Sequence, residues 1–201
     1  MNKAIIILLV LVALFIGQII IERISRKKAL NKLYELISKK EFSKFEELIN
    51  QKKTIRALGV FNSEYLKLNV YKMQKKDNKI DSQILFIKNN VNMNKKQKQV
   101  FYEEAFGYYV TNHKKNEALQ YLTYVNDNCN EYTYKKCKTL YDIIIKQDVS
   151  YLDALLEEIK DPGLSKNVLL EKYSLIIKIY ENLNDKKNIK HYQELIKDLL
   201  K

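Results

Sequence analysis

The chain has 201 residues, with 36 Lys plus Arg against 24 Asp plus Glu for a formal charge of +12, and only 4 Gly and 1 Pro. So few turn residues exclude a hairpin-rich sheet protein, and the lack of a Gly-rich phosphate loop excludes a nucleotide-binding α/β fold. Two cysteines are too few for a disulfide scaffold and 46% hydrophobic content is too apolar for disorder, which leaves an all-α, basic protein.

From Ala4 to Ile21 no residue carries a charge, and as a helix this stretch approaches the hydrocarbon thickness of a bilayer. It predicts an N-terminal transmembrane helix, with an anchor over 1–22 and a helical domain over 23–201. A cleaved secretory signal is the alternative, but its basic start is Lys3 alone and no small-x-small site precedes the charged run. A buried core helix is the other, against which this stretch is apolar on every side whereas the later helices each keep a charged face. Beyond the stretch come Arg23, Arg26, Lys27, Lys28 and Lys32, against Lys3 on the other side. This bias predicts a single-pass protein of the cell membrane, N-out and C-in, with the domain cytoplasmic. The same five cations are expected to meet anionic lipid headgroups, which attract each of them by about 1 kcal/mol. Nothing breaks the run from Ile21 to Ser38, so the anchor is expected to continue into the domain as one rigid helix.

Past the anchor, apolar residues recur at helical spacing, as in Leu30, Leu33, Tyr34, Ile37 and in Leu175, Ile176, Ile179, Tyr180, Leu183. Polar interruptions begin at Lys39, Lys75, Lys114, Gln147 and Lys186, in steps of 36, 39, 33 and 39 residues. A helix on either side of each interruption predicts about five helical hairpins stacked as an α-solenoid, because one hairpin cannot bury its apolar face until the next stacks on it. An irregular helical bundle with a coincidental period is the alternative. Ser43 with Glu46, Asn94 with Gln97, and Ser150 with Asp153 have capping-box spacing. Asp161-Pro162-Gly163 predicts a sharp stop, with Ser165 as the next N-cap.

The third unit places Tyr109, Ala118, Leu122 and Val125 where tetratricopeptide-type (TPR-like) repeats carry packing residues, and in these positions the chain resembles that family. The fifth unit has Tyr180, Ile189 and Ile196 at the same offsets, with Gln193 where an aromatic is usual; the first has Leu36, Phe42, Phe45 and Ile49. The resemblance implies a non-catalytic scaffold or adaptor whose first helices line an inner groove for a protein partner. It places Glu103, Val110, Thr111, Ser174, Lys178 and Glu181 on that groove.

Fifteen tyrosines, densest from Tyr102 to Tyr141, suit a seam between helices or a platform for a peptide. For chemistry the residues offer little. His113 and His191 each sit beside lysines near an expected turn, and Glu103-Glu104 and Glu157-Glu158 are adjacent pairs that diverge by about 100° on a helix. Cys129 and Cys137 have neither zinc-ligand nor redox spacing. No enzyme activity, cofactor or metal is expected. Nucleic acid is an unlikely partner: arginine occurs only at 23, 26 and 56, and the lysines are spread over every repeat, as an AT-rich bacterial coding sequence also produces. The expected function is a membrane-anchored scaffold for a protein partner. A tethered basic binder of nucleic acid or anionic polymer, and an extracytoplasmic assembly factor, are the rivals.

Overall fold

The computed structural model describes the backbone of residues 3–201 and the side chains of residues 11, 12 and 14–201. Among the described residues the fold is all-α, eleven helices without a strand, in two compact units, 1–93 and 94–201. The first unit holds α1 (Lys3–Ser38), α2 (Phe42–Ile49), α3 (Lys52–Leu58), α4 (Val60–Met73) and α5 (Asp77–Asn90). The second holds α6 (Lys95–Thr111), α7 (Lys115–Asn128), α8 (Glu131–Ile144), α9 (Leu152–Glu158), α10 (Lys166–Asn182) and α11 (Lys186–Leu200). The unbroken α1 carries the apolar N-terminal stretch straight into the first unit, as the sequence predicts.

Five non-glycine residues have left-handed backbone, Lys40, Lys75, His113, Gln147 and Asn184, with φ between 54° and 58°. They follow one another at 35, 38, 34 and 37 residues, each inside or within two residues of an expected interruption. Four of them close the same turn. The Lys40 N–H donates to the Ile37 carbonyl at 3.0 Å and the Glu41 N–H to the Leu36 carbonyl at 2.9 Å, and the second bond recurs as Lys76 to Tyr71, Lys114 to Tyr109 and Asp185 to Tyr180. This is the Schellman closure, which satisfies carbonyls that a helix end leaves without partners. Glu41, Lys76, Lys114 and Asp185 then serve at once as N-caps of α2, α5, α7 and α11. One residue ends one helix and starts the next, so each hairpin turns in a few residues.

A β-carbon in left-handed backbone costs about 1–2 kcal/mol, and glycine avoids that cost while losing more entropy on folding. Lys40→Gly and Lys75→Gly are therefore each expected to raise stability by about 0.5–1 kcal/mol, read as a higher urea midpoint with an unchanged slope. A lower midpoint would contradict the turn geometry.

The sequence reading departs from the structure in particular places. Ser43 lies inside α2 and caps nothing, because the shared residue Glu41 has already started the helix. Ser150 is not an N-cap either; Tyr151 is, and the Ser150 N–H donates to Asp148 Oδ1 at 2.9 Å. Asn94 with Gln97 does form the capping box, and Ser165 caps α10 after the Asp161-Pro162-Gly163 stop. The fourth hairpin is irregular: its turn is wider, with the Asp148 N–H reaching the Asp142 carbonyl at 3.0 Å, and short α9 packs against α10. α3 is an unexpected helix, joined to α4 by Gly59, whose φ of 83° is favourable only without a side chain.

In the first unit, Leu33 and Leu36 of α1 pack with Phe45 and Ile49 of α2, Leu58 of α3 and Val70 of α4. In the second, Phe101, Tyr102, Tyr109, Tyr121 and Tyr124 form a continuous aromatic seam between α6 and α7, with neighbouring ring centroids 5.2–6.4 Å apart. Most tyrosines of the dense stretch are thus packing residues, the exception being Tyr132 at 77% exposure. A second cluster joins Ile143, Leu155, Ile176, Ile179, Tyr180 and Tyr192.

Candidate functional site

Among the described residues no helix is long and apolar enough to cross a membrane. Residues 4–10 and 13 of the uncharged stretch lie outside those whose side chains are described. Most of what is described of that stretch is apolar and uncovered, with Gln18 polar and exposed and Gly17 and Ile19 half-buried. Leu11, Val12, Leu14, Phe15, Ile16, Ile20 and Ile21 are all exposed, Phe15 at 66% and Ile21 at 69%, whereas Leu33 further along the same helix is at 0%. At about 100° per residue these positions cover every side of the helix, so no single packing partner could bury them. A soluble helix hides such side chains on one stripe.

The basic residues follow at once. Arg23, Arg26, Lys27, Lys28 and Lys32 are all exposed, one collar around α1. Lys32 pairs with Glu35 at 3.1 Å, and Glu35 also holds Lys39 at 2.6 Å. Hydrogen bonds from Lys39 and then Lys32 hold the Glu35 carboxyl below its ordinary range. The collar's other four cations have no carboxylate partner among the described residues.

α3 packs against α1 and brings Lys52, Lys53 and Arg56, all exposed, beside the collar. Sequence reasoning missed this second basic row. Its signal was present, since Lys52, Lys53 and Arg56 fall at i, i+1 and i+4, which places Lys52 and Arg56 on one face of a helix, but seven residues are too few to stand out against the hairpin period.

The residues assigned to an inner groove are divided between α6 and α10. Val110 is fully buried and so belongs to the core; the resemblance misplaces it because α6 buries a wide face, with Tyr109 near its middle and Tyr108 and Val110 at its two edges. Glu103 and Thr111 of α6 are exposed, as are Ser174, Lys178 and Glu181 of α10. Four of these are held locally: the Thr111 hydroxyl donates to the Gly107 carbonyl, the Ser174 hydroxyl to the Leu170 carbonyl at 2.8 Å, and Lys178 pairs with Glu181 at 2.6 Å.

His113 is exposed in its left-handed turn, and His191 is exposed with its ring edge-on to Tyr192 at 5.1 Å. Among the described residues no three His, Cys, Asp or Glu side chains gather to hold a metal. Burial pushes the Cys137 thiol up to about 12 and also raises Cys129, so neither is an activated nucleophile. Compared with protein-family models, with curated proteins and with solved structures, the chain finds no match in any of the three.

Proposed function

We propose that the protein is a membrane-anchored TPR-like helical-repeat scaffold that holds a protein partner at the membrane surface without catalysing a reaction. One observation carries this reading: a helix whose described side chains from Leu11 to Ile21 are, Gln18 apart, apolar and mostly exposed passes directly into a basic collar and then, without a break, into the packed core at Leu33. Exposed apolar surface costs about 25 cal/mol per Å² in water, and hydrocarbon removes that cost. The recurrent left-handed turns at hairpin period support stacked repeats, the arrangement expected of an α-solenoid. The collar on the C-terminal side supports an N-out, C-in orientation with the repeats in the cytoplasm. Tethering confines the repeat surface to a thin layer at the bilayer and so raises its effective concentration toward other membrane-associated proteins.

Photo-crosslinking in intact membranes tests the scaffold. A crosslinking side chain placed at Glu103 or Lys178 is expected to give a discrete protein adduct, whereas one at exposed Lys160 is not. Identical patterns from all three positions, or none, would overturn the scaffold reading; recovery of nucleic acid instead would favour a basic tether.

A further inference from the structure

The groove between α1 and α3 combines an apolar floor with a cationic rim. Its volume is about 480 Å³, and its floor is apolar, made by Ile21, Ile24 and Ala29 of α1 facing Leu48 and Ala57. Its rim is cationic, with Lys28 and Lys32 on α1 and Lys53 on α3. A second groove of about 400 Å³ shares Ile21, Ser25, Lys53 and Ala57 with the first and adds Lys52 and Arg56. One acidic residue lines this second groove, Glu22, and its Oε1 already accepts a hydrogen bond from Gln18 Nε2 at 3.0 Å.

Some lysines elsewhere find carboxylates, as Lys44 does in Glu41 at 2.8 Å and Lys79 in Glu46 at 2.7 Å, and others such as Lys95, Lys96 and Lys98 do not among the described residues, so it is the apolar floor beside the cations that sets the groove apart. Lys28, Lys52, Lys53 and Arg56 have none among the described residues. Four neighbouring cations against the single carboxylate of Glu22 leave a positive surplus to be neutralised from outside, at the edge of an apolar floor. That floor begins at Ile21, the last residue of the uncharged stretch, so it opens where hydrocarbon would end.

We infer that these two adjoining grooves together bind one anionic phospholipid, its phosphate at Lys53, which lines both, with Lys28 of the first and Arg56 of the second to either side, and its first acyl carbons along Ile21 and Ile24. The inference rests on the reading of α1 as an anchor and goes beyond it: the collar alone attracts a charged surface diffusely, whereas α3 makes a bounded site for a single molecule. Free phosphate fits the cations but leaves the apolar floor in water. A lipid covers both.

The test uses the full chain in a neutral detergent with equal phosphatidylglycerol and phosphatidylcholine, the bound lipid being counted by native mass spectrometry. The expected result is one retained phosphatidylglycerol, at least tenfold in excess over phosphatidylcholine and not displaced by millimolar inorganic phosphate. Lys52→Gln/Lys53→Gln/Arg56→Gln should abolish that preference. Arg23→Gln/Arg26→Gln/Lys27→Gln, which removes the same charge from collar positions outside the groove, should preserve it. Equal loss in both triple variants would reduce the effect to diffuse charge, and retention in both would place the lipid elsewhere; either overturns the site, as does displacement by phosphate. Flotation of the wild-type chain with vesicles checks the anchor separately. A chain that keeps its phosphatidylglycerol in detergent yet does not float would sink the anchor and leave the groove standing.

Discussion

Lys67→Met is expected to lower stability by about 3–5 kcal/mol, because it strands a buried carboxylate. Glu64 and Lys67 lie one turn apart on α4, 2.8 Å between Oε1 and Nζ, with only 10% and 12% of their side chains exposed. Gln83 of α5 closes the group: its Nε2 donates to Glu64 Oε2 at 2.8 Å and to the Glu64 carbonyl at 3.0 Å. The second hairpin is thus pinned by a polar cluster set among Leu68, Ile80, Ile84 and Ile87, all buried. Removing the ammonium leaves the carboxylate with a single neutral donor, whereas removing both charges leaves none stranded. Glu64→Leu/Lys67→Met should therefore recover most of the loss, since the Gln83 amide keeps the Glu64-position backbone carbonyl as acceptor. Urea unfolding of the two single variants and the double variant measures the coupling directly. Additive losses would show that the pair is solvated.

Asp142→Ala should cost about 2 kcal/mol, and the cost should depend on pH. Asp142, near the end of α8, has 5% of its side chain exposed and meets Lys138 at 2.7 Å and Lys146 at 2.8 Å, while the Tyr151 hydroxyl donates to it at 3.0 Å. Burial pushes its carboxyl up, but the bonds from Lys138, Lys146 and Tyr151 outweigh that and hold it below the ordinary range. Both lysines are about half exposed, so solvent screens the pairs and the expected cost stays at the low end for a buried carboxylate. A folded value below the unfolded one, about 3.9, means the contribution is complete above that pH and lost as pH falls through the folded value. The gap between wild type and Asp142→Ala should be constant from neutral pH down to about 5 and then narrow in acid. A gap that widens in acid would contradict the assignment.

These two clusters were invisible in the sequence, and the reason is physical. Glu64, Lys67 and Gln83 look like solvated helix residues until α4 and α5 fold together, and Asp142 looks like any carboxylate beside lysines. The hairpin period was legible because each Schellman turn needs polar, uncovered residues at its left-handed position, so Lys40, Lys75, His113 and Asn184 stand out between apolar runs. The tyrosine seam was legible by density alone. α3 was not, since it buries only Thr54 and Leu58 and its length is below two full hairpin turns' worth of pattern. Ser43 and Ser150 misled because a serine before an acidic residue signals a cap only where the chain enters the helix from extended backbone. The collar residues Arg23, Arg26, Lys27, Lys28 and Lys32 were readable from charge alone; their neighbours Lys52, Lys53 and Arg56 needed the fold.

The most direct measurement of the anchor is density flotation of the full chain with phospholipid vesicles after alkaline carbonate washing, run beside a chain lacking residues 1–22. The full chain should rise with the vesicles and resist the wash, while the shortened chain stays in the soluble fraction with its helical circular dichroism intact. A full chain that washes off, or a shortened chain that rises with it, would contradict the anchoring role proposed for α1.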